Sequence, residues 1–121
     1  MLLGTYAPVD SNSNAVSLTK IREGNFTSEF RGLTAVTGET VRVYVNHTLP
    51  DRGKSGESHL IKVVTEFLDS EGVYSHSSQA HVVIKTLDNV QDSDNAVQAL
   101  TVLLNLIGDS TMRDALINGE S

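Results

Sequence analysis

The chain has no cysteine, and that one absence removes disulfides, thiolate nucleophiles and cysteine-ligated zinc or iron–sulfur centres together. Stability has to come from packing or from association with other chains. There is also no apolar run near the roughly 20 residues that cross a bilayer as a helix, and Met1-Leu2-Leu3-Gly4-Thr5-Tyr6 lacks the basic segment and long apolar stretch of a secretory leader. The expectation is a chain that neither spans a membrane nor carries a signal peptide. Cations are scarce as well: nine Lys and Arg against fifteen Asp and Glu give a net charge of −6. Phosphate contact ordinarily wants a basic surface, so a generic nucleic-acid binder is disfavoured unless the few cations share one face. No low-complexity tract interrupts the 121 residues, 39% of them hydrophobic, and one domain burying roughly two thirds of its unfolded surface is expected.

What is present divides into a β-rich first three quarters and a helical last quarter, an α+β order that disfavours parallel-sheet nucleotide folds. A short apolar start over 2–7, the turn-forming run Asp10-Ser11-Asn12-Ser13-Asn14 and a strand-like stretch over 15–22 suggest an N-terminal β-hairpin. After a turn at Gly24-Asn25, strand candidates follow over 26–32, 40–48, 59–68 and 78–87. They are separated by Thr37-Gly38-Glu39, by the run from Leu49 to Gly56, and by Asp69-Ser70-Glu71-Gly72. Connections this short favour an antiparallel β-meander sheet. One domain over 1–121 is expected, with the hairpin over 1–23, the sheet over 24–90 and helices over 91–121.

Alternation assigns faces to the strands. Val41, Val43 and Val45 oppose Arg42, Tyr44 and Asn46; Ile61, Val63 and Phe67 oppose Lys62, Val64 and Glu66; Val82 and Ile84 oppose His81, Val83 and Lys85. One sheet face is therefore apolar and the other mixed and polar. From Ser93 the period changes, with Ala96, Val97, Leu100, Leu103, Leu104 and Ile107 at three- and four-residue spacing, Asp92 or Ser93 as cap and Gly108 as stop. A second, shorter helix begins near Ser110, carries Met112, Leu116 and Ile117, and ends at Gly119.

Five strands at roughly 4.8 Å spacing make a sheet about 24 Å wide, whereas a helix is about 10–12 Å across. One long helix and one of barely two turns leave much of the apolar face bare. Helices from a second subunit would complete the cover, which makes an obligate, interlocked dimer the natural expectation.

Three segments carry a resemblance beyond this general plan: Lys20-Ile21-Arg22-Glu23-Gly24-Asn25-Phe26-Thr27-Ser28-Glu29-Phe30, Ser78-Gln79-Ala80-His81-Val82-Val83-Ile84-Lys85, and the run from Ser93 to Leu104. Their order, and the chain length, are similar to the coat (capsid) proteins of single-stranded RNA bacteriophages of the levivirus type. The resemblance implies the RNA-phage coat protein fold: a hairpin, a meander, and two C-terminal helices that grip the partner's sheet on the outside of an icosahedral shell. It implies self-assembly into a virion in the cytoplasm of a bacterial host, with single-stranded genomic RNA held on the inner sheet face. The loop before the last strand, here 69–77, would meet its copies at symmetry axes. On the inner face Arg42, Lys62 and Lys85 are the candidate phosphate contacts, Tyr44 a stacking platform for an unpaired base, and Asn46 a contact to a base edge or sugar. His81 stands where relatives often carry a base-stacking aromatic, which counts against a second role as repressor of one hairpin. Glu66 is the clear acid of that face, with Arg31 offset by Glu29. A thinly basic face predicts weak, salt-sensitive contacts multiplied over many copies.

Other motifs dissolve on inspection. Gly53-Lys54-Ser55 lacks the first glycine of a P-loop, since Thr48 holds its place. Asp10, Asn12 and Asn14 open like a calcium loop, but Ala15 and Ile21 occupy its glycine and final carboxylate positions. Asp88, Asp92 and Asp94 are explained as acids at a helix start. Asn25-Phe26-Thr27 and Asn46-His47-Thr48 match the glycosylation acceptor by chance. His47, His59, His76 and His81 show no helical ligand spacing. No metal, cofactor or catalytic residue is expected. A non-viral dimeric RNA- or ligand-binding module of the same build is the first rival, and a small enzyme using histidine and carboxylates the second.

Overall fold

The computed structural model describes residues 4–34, 36, 38–48, 57–71, 73–86 and 93–119. The segments of Gly53-Lys54-Ser55 and of Asp88 and Asp92 lie outside them. Six strands follow one another: β1 (Thr5–Tyr6), β2 (Leu18–Gly24), β3 (Thr27–Leu33), β4 (Glu39–Thr48), β5 (Glu57–Leu68) and β6 (Tyr74–Thr86). They form one sheet in sequence order with every neighbour antiparallel. Two helices close the chain, α1 (Ser93–Gly108) and α2 (Ser110–Ile117), and no described helix is long and apolar enough to cross a membrane.

Local chemistry explains the turns. Asp10 Oδ1 accepts from the backbone N–H groups of Asn12 and Asn14, both at 2.9 Å, so the Asp/Ser/Asn run is a turn and not an ion-binding loop. Asp69 Oδ1 does the same for Glu71 and Val73, again at 2.9 Å. That Asp-centred turn lets β6 begin at Tyr74, so the connection expected over 69–77 is short and its second half is strand. Gly38 turns β3 into β4 with φ +86°, and its carbonyl accepts from the Leu68 N–H at 2.9 Å. The hairpin between β2 and β3 instead places Phe26 at φ +66°, a left-handed conformation uncommon without glycine.

The apolar face carries the expected valines, yet it is covered at one end only. Val16, Leu18, Phe30, Val41 and Val43 form the buried cluster, with Val45 and Val63 packed against it. The chain entering β2 supplies that cover. Ser17 runs so close to Gly32 that a Cβ there would stand 2.5 Å from the Ser17 carbonyl oxygen. Towards β5 and β6 the same face lies open, and Ile61 is 44% exposed.

The helices do not fill this gap. α1 touches the sheet only slightly, along β6, and α2 packs on α1. From Ala96 onward no residue of either helix is buried; Val97, Leu104, Leu116 and Ile117 are 60%, 53%, 58% and 81% exposed. With Val102, Leu103, Leu106 and Met112 also exposed, burial worth on the order of 10 kcal/mol is left unclaimed by the single chain.

Candidate nucleic-acid interface

Strand register brings the six sequence-selected residues onto the sheet face opposite the valine cluster. Tyr44 pairs with Lys62 and Lys62 with His81, forming a straight row across β4, β5 and β6. Arg42 lies in the adjacent row with Val64 and Gln79, and Asn46 in the row with Leu60 and Val83. Lys85 is opposite Ser58, which is in turn opposite Thr48. Asn46, His81 and Lys85 are exposed, while Arg42, Tyr44 and Lys62 are half-buried among their neighbours.

Two of these side chains already engage each other. The Lys62 ammonium sits 5.0 Å from the Tyr44 ring centroid, a cation–π distance. A base stacking on Tyr44 must therefore share the ring with Lys62 or displace it towards a phosphate. Hydrogen bonding to Tyr44, followed by the field of Glu66, holds the Arg42 guanidinium above its ordinary pKa despite opposing desolvation. Arg42 is thus charged at any pH the protein meets. Its Nε is buried and lacks a hydrogen-bond partner among the described residues.

Two further cations belong to this face. Arg31 stands directly opposite Arg42 across β3 and β4, an unfavourable like-charge pairing in the absence of an anion. Glu29, expected beside Arg31, turns its carboxylate instead towards Arg22 Nε at 3.8 Å. Arg22 escapes a strict alternation because one extra residue, Ile21, interrupts the register between Lys20 and Arg22. Without that bulge Arg22 would share the apolar face with Lys20. The described polar face then holds Arg22, Arg31, Arg42, Lys62 and Lys85 against Glu29 and Glu66. A chain of net charge −6 thus presents one cationic surface.

This fold has counterparts. A family model described as the phage phiCb5 coat protein matches residues 5–87, more than two thirds of the chain. The chain belongs to that coat-protein family. Membership makes it a structural capsid protein and not an enzyme. No curated protein sequence matches it. Among solved structures, the virus-like particle of Beihai levi-like virus 21 superposes with a TM-score of 0.81 at 10% identity, covering 100% of this chain and 98% of that one. The bacteriophage EMS014 coat protein gives a TM-score of 0.67 at 12% identity over 88% and 74% of the two chains. An unassembled bacteriophage coat protein dimer described as RNA-binding gives 0.66 at 16% identity over 98% and 96%. At such identities the coat protein shares the fold with these structures, while its individual contacts have to be argued from its own residues.

Proposed function

We propose that this coat protein dimerises through its helices, assembles into an icosahedral virion shell in the bacterial host cytoplasm, and packages single-stranded genomic RNA on its polar sheet face. One observation carries the reading: the two faces of the sheet are unfinished in opposite ways. Over β5 and β6 the apolar face is at most half-buried, with Ile61 exposed, while most described apolar side chains of α1 and α2 stay exposed although the two helices touch each other. A second copy supplies the missing surface for both. Among the described residues the polar face offers five cations against two carboxylates in a regular two-dimensional array, suited to phosphate contacts that are weak singly and additive over many subunits.

Packaging by many contacts is favoured over tight recognition of one hairpin. Along the Tyr44–Lys62–His81 row the lysine lies over the Tyr44 ring, so base stacking competes with an internal contact. The test is expression of the chain alone followed by electron microscopy and nuclease digestion. Closed shells holding nuclease-resistant RNA are expected, and a stable dimer that never forms shells would overturn the assembly reading. Shells with unchanged RNA content after Arg42→Ala and Lys85→Ala at moderate salt would overturn the assignment of the RNA face.

A further inference from the structure

On the face opposite the cations, at the end of the β4–β5 hairpin, His47 and His59 are directly paired across the strands. Their Nδ1 atoms are 2.8 Å apart and their rings stand at 68°. The outer nitrogen of His59, Nε2, lies 3.3 Å from Glu57 Oε2, and the two side chains are 32% and 38% exposed. The tautomer that fits both contacts has the His59 hydrogen on Nε2, towards the Glu57 carboxylate, with His59 Nδ1 accepting from His47 Nδ1–H. A histidine whose outer N–H is held by a carboxylate and whose inner nitrogen faces a second imidazole has the arrangement of a metal ligand with its orienting partner.

We propose that His47 and His59 form an open site for a divalent transition-metal ion, bound through both Nδ1 atoms, with Glu57 orienting His59. On binding, His47 moves its hydrogen from Nδ1 to Nε2, and each ring turns about its soft χ2 until the two lone pairs converge. Metal–nitrogen bonds of about 2.0–2.1 Å meeting at a right angle place their nitrogens about 2.9 Å apart, close to the 2.8 Å present. Two imidazole nitrogens suit Cu²⁺, Ni²⁺ and Zn²⁺, and Cu²⁺ is bound most tightly of the three by the usual order of divalent ions. Among the described residues no third metal-binding side chain joins the two imidazoles, so the site is proposed with two protein ligands. Nitrogen ligands discriminate against Ca²⁺ and Mg²⁺, which prefer oxygen.

Calorimetric titration of the purified full chain with NiCl₂ and CuCl₂ is expected to show saturable binding of one ion per chain, tighter for Cu²⁺ and reversed by EDTA. His47→Gln or His59→Gln should remove it, and Glu57→Gln should weaken it about tenfold. On the unaltered protein, ZnCl₂ followed by ¹⁵N imidazole resonances should shift Nδ1 of His47 and His59 and leave His76 and His81 in place. CaCl₂ should do neither. Absence of saturable binding, resonances that move at His76 or His81 instead, or a Ca²⁺ response equal to that of Ni²⁺ would overturn the site.

Discussion

Arg31 and Arg42 face each other across two central strands, and a folded protein rarely keeps such a pair without a use for it. Replacing Arg31 by Glu converts repulsion into an ion pair, so the fold should gain stability by up to about 1 kcal/mol while RNA content falls. Urea unfolding and the absorbance ratio of purified shells read the two effects separately; RNA content that stays level would remove Arg31 from the RNA face. Phe30 belongs to the other side. It is 2% exposed and meets Tyr6 edge-on at 5.4 Å. Phe30→Ala should cost about 3–5 kcal/mol in denaturant unfolding, and a loss under 1 kcal/mol would show that the cluster is not the core. At this scale the faces of Arg42, Tyr44, Asn46, Lys62, His81 and Lys85 were legible because side-chain direction in a strand alternates with a period of two. Arg22 was illegible for the same reason, since the bulge at Ile21 breaks that period.

The elements are governed by a few turn and cap residues. Gly38 combines a left-handed φ of +86° with a Cβ site 2.5 Å from the Leu68 carbonyl oxygen. Gly38→Ala should destabilise by more than about 1 kcal/mol, seen as a lower urea midpoint with an unchanged slope. At the junction of the helices Asp109 accepts from the Met112 N–H at 3.0 Å and caps α2. Asp109→Ala should cost about 1 kcal/mol and reduce helicity over 110–117, checked by hydrogen exchange of that segment. The junction was readable from Gly108 as a stop and a helix start near Ser110, and Asp109 between them proves to be the cap. The start of β6 was less readable, expected at Ser78 and found at Tyr74. The Asp69 turn closes within a few residues, so strand pairing resumes at Tyr74, although the run Ser75-His76-Ser77-Ser78 that follows shows no apolar alternation.

For the whole molecule the decisive quantity is the apolar surface that one chain cannot bury. Introducing charge at Val97 and Leu104, as Val97→Asp with Leu104→Asp, should leave the sheet folded by circular dichroism while sedimentation shows monomer and microscopy shows no shells. Normal shells from this double variant would place the partner contact elsewhere. The unaltered chain should also unfold at a midpoint that rises with protein concentration, because association stabilises only the folded state. The RNA face has its own signature at this scale: release of RNA should steepen with salt, by about 0.7 in the logarithmic slope for each single-strand phosphate contact retained.

The sequence by itself determined the α+β order, the strand and helix spans within a few residues, the two-faced sheet and, Arg22 apart, the cations of its polar side. These follow from local periodicity and turn chemistry, which need no knowledge of distant residues. Tertiary structure alone decided that the chain before β2 crosses Gly32 to seal one end of the apolar face, leaving the other end and both helices uncovered. It alone also set Arg31 against Arg42 and His47 against His59, because cross-strand partners depend on register. No spacing along the chain announces a register; it is settled when the strands pair.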